Sequence, residues 1–187
     1  MLFSDRLTEQ EVLEAKGPHR EELLDALLCD FRSSFPDLTF ELQLGFRIIE
    51  AQALQLQDKR TVTLYGGLAL HPRLGQDALT FILLHESGHH LAEGCPLPRD
   101  PSLACECSAD YWATTTGAET LKRKSGRCLR MSAVISELNT VISPRQKSGR
   151  KYTGPGSTSG CWANGWPSRR QALFDQARPP AVPGCCI

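Results

Sequence analysis

The sequence predicts an α+β fold in which a small, mostly antiparallel sheet packs against a central helix and a second helix. Three patterns predict it: an amphipathic helical stripe over residues 18–32, alternating apolar and polar residues between 39 and 70, and an almost entirely apolar helix over 77–92. A chain of 187 residues can bury one sizeable core. We therefore expect a single domain over residues 1–187, with flexible ends at 1–17 and 178–187.

The predicted sheet consists of short extended segments between turn residues. Alternation is clear at 39–44 and 61–65 and weaker at 46–49 and 53–57. Gly66 and Gly67 then precede a last short strand. Because this strand, at 68–70, leads into the central helix, we expect its edge to lie beside any site on that helix, where an extended peptide could pair with it. The glycines would allow close backbone approach or form an ordinary turn.

The central helix carries the sequence His-Glu-x-x-His at positions 85–89. In a helix, His85 and His89 lie one turn apart on the same face, so both imidazoles can bind a single metal ion. Glu86 lies off that line and can reach a water molecule on the ion without being a ligand. Because buried polar side chains need partners, the pattern favours Zn²⁺ bound by His85 and His89, with Glu86 as candidate general base.

A second helix is predicted over residues 100–117, with Asp100 as N-cap and Pro101 in its first turn. Glu106 and Asp110 lie one turn apart on it. This spacing suits a third zinc ligand, Glu106, followed by a carboxylate, Asp110, that accepts a hydrogen bond from a ligand histidine. The alternative is a surface helix with two acidic residues, which the apolar side chains around them disfavour.

The two segments together resemble the gluzincin metallopeptidases, in which a His-Glu-x-x-His helix is followed by a helix with a Glu-x-x-x-Asp pattern. The matching residues are His85, Glu86, His89, Glu106 and Asp110. The second segment is most similar to the Glu-x-x-Ala-Asp form of soluble relatives of the CAAX prenyl endopeptidases and of other minimal bacterial gluzincins. The resemblance covers roughly residues 61–115 and implies a zincin-like fold, a Zn²⁺ cofactor and a peptide or protein substrate.

The resemblance also implies the reaction, which is hydrolysis of a peptide bond within a chain. Zn²⁺ held by His85, His89 and Glu106 would lower the pKa of a bound water to about 7. Glu86 would take the proton from this water and deliver it to the leaving amine. The alternative function is a catalytically weak binding module that zinc stabilises. In the relatives a histidine-proline pair often supports the reaction, but here Trp166 stands in place of that histidine.

Eight cysteines leave several thiol roles open. Cys105 or Cys107 could join the two histidines in a closed structural zinc site. A disulfide from Cys95 or Cys128 to Cys107 would instead clamp the second helix. The cysteine content favours an oxidising compartment, whereas the first residues lack the apolar core of a signal peptide, which otherwise predicts a cytoplasmic protein.

The remaining sequence completes the expected domain. Residues 129–142 form an amphipathic helix that covers the core, and 145–167 form a long loop. Lysine plus arginine and aspartate plus glutamate both number 21, so no net field favours nucleic acid. Because no apolar run approaches the roughly 20 residues that cross a bilayer, we expect no membrane span. The sequence leaves the oligomeric state open.

Overall fold

The computed structural model describes Thr8 and residues 17–98 and 100–142. The elements in chain order are α1 (Pro18–Ser34), β1 (Thr39–Gln43), β2 (Ala51–Leu56), β3 (Lys59–Tyr65), α2 (Gly66–Ala69), α3 (Gln76–Leu91), β4 (Pro96–Leu97), β5 (Asp100–Ala104), α4 (Glu106–Trp112), a π-helical segment (Ala113–Gly117), α5 (Ala118–Ser125) and α6 (Met131–Ile142). These helices and small sheets confirm the predicted α+β class. The predicted loop at 145–167 and the end at 178–187 lie outside the described residues, as does most of the end at 1–17.

The larger sheet has three strands in the order β1-β3-β2, with β1 parallel and β2 antiparallel to β3. The prediction of a mostly antiparallel sheet is therefore wrong for this sheet. The chain leaves β1, crosses to the opposite edge as β2 and returns between them as β3. Val62 and Leu64 of this central strand are fully buried, whereas β2 forms an edge.

The connection from β1 to β2 crosses the end of β3, where Gly66 and Gly67 leave room for it. A Cβ atom on either glycine would overlap the backbone of this connection. Residues 46–49 are irregular apart from a single bridge at Ile48 and do not form the predicted strand. The two glycines begin the buried helix α2, so the strand predicted at 68–70 and its use as a peptide-binding edge are wrong.

Helix α3 lies in the centre of the fold and is buried over nearly its whole length, as its apolar sequence predicts. It packs against the larger sheet, α4 and α6. Its N-cap residue is Gly75, which has no side chain to accept hydrogen bonds from the first amides of the helix. Instead, Glu137 of α6 accepts hydrogen bonds from the backbone amides of Gly75 and Ala78, at 2.8 and 3.1 Å. A distant helix thus caps the central one.

The second helix does not begin at Asp100 as predicted, because residues 100–104 form strand β5. This strand pairs with β4 in an antiparallel hairpin, and a disulfide joins Cys95 to Cys105 beside it. These contacts hold the segment extended, so α4 starts at Glu106. The predicted disulfide to Cys107 is also wrong, since Cys95 pairs with Cys105 and Cys107 lies outside the disulfide on the exposed surface.

The second helix also does not end at Gly117. The helical path continues through the π-helical segment into α5. Helix α5 ends at Gly126, which has a φ of 77°. Gly117 is required for a different reason: a Cβ atom there would lie 2.5 Å from the ring of Trp112. The helix over Met131–Ile142 confirms the predicted covering helix. Among the helices of the described ranges, none has both the length and the apolar character needed to cross a bilayer.

Candidate metal centre

The central helix brings His85, Glu86 and His89 together, as their spacing predicts. Ligand atoms of these three side chains lie within 4.8 Å of one another. All three residues are buried, with exposed fractions of 2%, 5% and 6%. The two imidazole rings stand nearly perpendicular, with centroids 4.8 Å apart. A cluster of this composition inside a core requires partners for its polar atoms.

Each histidine is oriented by a different acceptor on its Nδ1 atom. Nδ1 of His85 lies 2.8 Å from Oδ1 of Asp110. Nδ1 of His89 lies 2.7 Å from the backbone carbonyl oxygen of Ala104. Because a carbonyl oxygen only accepts, His89 carries its proton on Nδ1 and presents the lone pair of Nε2. Such contacts are the usual means of fixing the tautomer and direction of a metal-binding histidine.

Glu106 faces the Nε2 atoms of both histidines from α4. Its Oε2 atom lies 3.2 Å from Nε2 of His85, and its Oε1 atom lies 3.9 Å from Nε2 of His89. Donors bound tetrahedrally to one zinc ion at 2.0–2.2 Å stand roughly 3.3 Å apart. Two imidazole nitrogens and one carboxylate at these separations are close to the spacing of donors around a single small metal ion, which His85 can join once it loses its proton on Nε2. The carboxylate is 37% exposed, so this corner of the cluster faces solvent.

Glu86 lies beside this donor set, with Oε1 4.0 Å from Nε2 of His85. Burial raises its pKa to about 7, with Glu106 acting in the same direction and His85 opposing. A backbone hydrogen bond from Ala53 of the edge strand β2 also reaches Glu86 and favours its charged form. A carboxylate with a pKa near neutrality can both accept and release a proton under ordinary conditions.

The other charges of the cluster hold a proton on His85. Burial alone would lower the pKa of His85, but hydrogen bonds to Asp110 and Glu106 outweigh burial and raise it to about 10. The hydrogen bond to His85 lowers the pKa of Glu106 to about 2. Burial, followed by the charge on His85, lowers the pKa of His89. In the metal-free cluster the first histidine is therefore charged and the second is neutral at pH 7.

Helices α3 and α4 approach closely at Gly88, and this approach positions the carboxylates of α4. A Cβ atom on Gly88 would lie 2.7 Å from the carbonyl oxygen of Ala109 and 2.9 Å from its Cα atom. Ala109 is fully buried. It lies between Glu106 and Asp110 in sequence, so both carboxylates reach the histidines across the same crossing. The small residues that face each other at 88 and 109 are the sequence signal for this crossing.

Two contacts of the cluster involve backbone groups that sequence patterns do not mark: the Ala104 carbonyl on His89 and the Ala53 amide near Glu86.

The closed site with a Cys105 thiolate is not formed here, because Cys105 is in the disulfide. His90, the residue after the motif, donates from Nε2 to the carbonyl of Thr61 at 3.1 Å.

Trp166, which stands in place of the supporting histidine of the relatives, lies outside the described residues. The chain matches no protein-family model, no curated protein and no solved structure.

Proposed function

We propose that this chain is a zinc-dependent peptidase in which His85, His89 and Glu106 hold the metal ion and Glu86 is the general base. The convergence of two Nε2 atoms on the Glu106 carboxylate, at 3.2 and 3.9 Å, supports the metal site most strongly. When bound, zinc in such a donor set activates water and polarises a carbonyl oxygen. The resemblance of the two motifs to gluzincins supports peptide hydrolysis rather than another zinc-dependent reaction.

The protein side chains would divide the work as follows. Asp110 and the Ala104 carbonyl hold the histidines so that both Nε2 lone pairs face the ion. Glu106 completes the donor set, which leaves the neighbouring Glu86 carboxylate for proton transfer, and the backbone hydrogen bond of Glu86 keeps this carboxylate in place. It accepts a proton from the attacking water and delivers it to the leaving amine. Burial of the cluster limits access of bulk water to this proton transfer.

The edge strand β2 supports a peptide as the substrate. Its Ala53 amide contacts Glu86, so the strand runs beside the proposed base. Among the described strands β2 pairs only with β3, so its other side is an edge of the sheet. An extended peptide added to that edge would pass Glu86 with its carbonyl groups aligned by backbone hydrogen bonds.

Metal content and hydrolysis of a peptide library, measured on the same preparations, test this proposal. Wild-type protein should contain about one zinc ion per chain and cleave peptides, and a chelator should abolish cleavage. Glu86→Gln should retain the metal, and its turnover rate should fall by a factor of roughly 10²–10⁴ because the amide cannot accept the proton. Glu93→Gln, an exposed carboxylate near the end of α3, is the matched control and should keep full activity.

Two histidine variants test the metal site, and Glu86→Gln separates the two candidate functions. His89→Ala should lose metal and activity together, whereas His19→Ala, at a fully exposed position, should lose neither. Undiminished hydrolysis by Glu86→Gln would contradict the proposed mechanism. If wild-type protein binds zinc but cleaves nothing, and Glu86→Gln changes no measured property, the chain is the zinc-stabilised binding module instead.

A further inference from the structure

The disulfide between Cys95 and Cys105 closes a small hairpin at the edge of the metal centre. The two Cα atoms are 5.6 Å apart, and the Cys105 amide also donates a hydrogen bond to the Cys95 carbonyl at 2.7 Å. Strand β4 has only two residues, and its pairing with β5 is irregular. A hairpin this short has little backbone pairing of its own. The covalent bond is therefore its strongest cross-connection.

The residues on either side of Cys105 both contact the proposed ligands. Ala104 provides the carbonyl that accepts the hydrogen bond of His89. Glu106 provides the carboxylate that faces both Nε2 atoms. Cys105 itself is the N-cap residue of α4, and its carbonyl accepts a hydrogen bond from the amide of Ala109. Any displacement of Cys105 would move an orienting group and a ligand at once.

The other end of the disulfide is fastened to the same helix. Gly94, with a φ of 148°, packs directly on Ser108 of α4, where a Cβ atom would overlap the serine hydroxyl. The Ser108 hydroxyl in turn lies 3.4 Å from Sγ of Cys105. The chain leaving α3 is thereby bound back onto the start of α4. This loop contains the disulfide and spans the two helices that carry every proposed ligand.

We propose that the Cys95–Cys105 disulfide is a positioning element of the metal centre, so that zinc affinity depends on the redox state of these two cysteines. The oxidised form holds Ala104 and Glu106 in place for the ion. The reduced form leaves the hairpin with irregular pairing alone and binds zinc more weakly. This inference rests on the proposed metal site and adds to it a dependence on the redox conditions around the protein.

The redox step is an exchange with an external dithiol. Cys95 is exposed and Cys105 is 8% exposed, so a thiolate of the reductant attacks Sγ of Cys95. The sulfur–sulfur bond breaks, and Cys105 leaves as a thiolate that takes up a proton. The second thiolate of the reductant then attacks the reductant sulfur that is bonded to Cys95, and Cys95 leaves as a thiolate that takes up a proton. The protein gains two electrons and two protons, and the dithiol becomes a cyclic disulfide.

The test compares zinc affinity in three preparations by competition with a chromophoric chelator. They are oxidised wild type, wild type reduced with a dithiol and freed of it anaerobically, and the double variant Cys95→Ser/Cys105→Ser. Loss of an orienting contact in metal sites typically weakens metal binding by roughly 10–100-fold. We expect a loss in that range in the second and third preparations, with recovery when the reduced wild type is reoxidised. Cys29→Ser, at an exposed position on α1, is the matched control and should keep the wild-type affinity.

The absorption spectrum of bound Co²⁺ adds a readout of ligand geometry. Displacement of Ala104 and Glu106 should change the spectrum of the double variant, whereas a merely stabilising disulfide would leave it as in the wild type. Equal affinity and equal spectra in all preparations would overturn the proposal while leaving the metal site intact. Tighter binding after reduction would also overturn it, since the thiols would then be acting as ligands. Failure of oxidised wild type to bind zinc would overturn the metal site itself.

Discussion

His85 and His89 are one turn apart on α3 but are held by chemically different partners. The acceptor on His85 is the Asp110 carboxylate, whereas the acceptor on His89 is the Ala104 carbonyl. A carboxylate stabilises a charged imidazole far more than a neutral carbonyl does. The pKa of His85 is raised to about 10, and that of His89 is lowered. Only one of the two histidines must therefore lose a proton before it can bind metal.

This difference predicts that zinc binding releases about one proton and strengthens as pH rises. Below its pKa of about 10, His85 must give up its proton to bind metal. The apparent affinity should therefore rise with pH between 6 and 8, by about tenfold per pH unit for each proton that zinc displaces. Competition with a chelator over this range measures the slope, and calorimetry in two buffers counts the protons. An affinity that does not change with pH would contradict the charge state assigned to His85.

Substitution of Asp110 by asparagine should reduce the pH dependence of the zinc affinity. The amide lacks the negative charge that keeps His85 protonated, so the pKa of this histidine should fall toward its ordinary value. The slope of zinc affinity between pH 6 and 8 should therefore become shallower, whereas the roughly 10–100-fold loss caused by the missing orienting contact is opposed at pH 8 by weaker proton competition for His85. Asp37→Asn, at an exposed position after α1, is the control and should change neither quantity. An unchanged slope would mean that Asp110 does not set the charge of His85.

At the scale of elements, the crossing of α3 and α4 depends on the absence of a side chain at Gly88. Gly88→Ala would place a methyl group against the backbone of Ala109, which cannot yield as a flexible side chain can. We expect a loss of about 1–3 kcal/mol in the free energy of unfolding together with weaker zinc binding, because Glu106 and Asp110 would move away. Urea denaturation and chelator competition measure the two effects.

Gly45→Ala is the matched control for this prediction. Nothing lies within 4 Å of a Cβ atom at Gly45, and its φ is not in the left-handed region. The control should be close to neutral in stability and in zinc affinity. If both alanine variants behave alike, close approach at Gly88 does not position the carboxylates.

The start of α3 is capped by a side chain of α6. Glu137 accepts hydrogen bonds from the Gly75 and Ala78 amides and so replaces the missing N-cap side chain. Glu137→Ala should lower the free energy of unfolding by about 1–2 kcal/mol, because two amides at the helix start would lose their acceptor. Asn139→Ala, exposed on the same helix, should cost much less. Equal effects of the two substitutions in urea denaturation would show that α6 does not cap α3 in this way.

At the scale of the whole molecule, the proposed metal centre would join two helices from separate parts of the chain. A bound ion would tie α3 to α4 and, through Ala104, to the smaller sheet. A ligand that binds only the folded state stabilises it, by about 4 kcal/mol when its concentration is 1,000 times Kd. For a domain of this size, such a gain corresponds to a shift of roughly 10 °C in Tm.

We therefore expect a chelator to lower Tm by roughly this amount. The effect should disappear in His89→Ala, which cannot hold the ion, and should persist in Glu86→Gln, which can. Differential scanning calorimetry with and without added zinc measures both. A chelator effect of equal size in His89→Ala would indicate that the stabilising metal is bound elsewhere.

The sequence alone determined the relative placement of His85, Glu86 and His89, because one helix fixes the positions of its own residues. The same reasoning placed Glu106 and Asp110 on one helical face, although α4 begins at Glu106 rather than at Asp100. It also identified α1, α3 and α6 from their apolar patterns. These successes all rest on local geometry, where periodicity in the sequence maps directly onto direction in space.

Only the tertiary structure decided how these elements meet. Packing between separate segments of the chain decides three features. They are the strand at the edge of the sheet, the cysteine that pairs with Cys95 and the carbonyl that orients His89. Residues 100–104 illustrate the reason: Asp100 and Pro101 favour a helix start locally, but pairing with β4 and the disulfide hold this stretch extended. Every residue but proline offers the same backbone amide and carbonyl, so side-chain patterns cannot mark Ala53 and Ala104 as partners of the cluster.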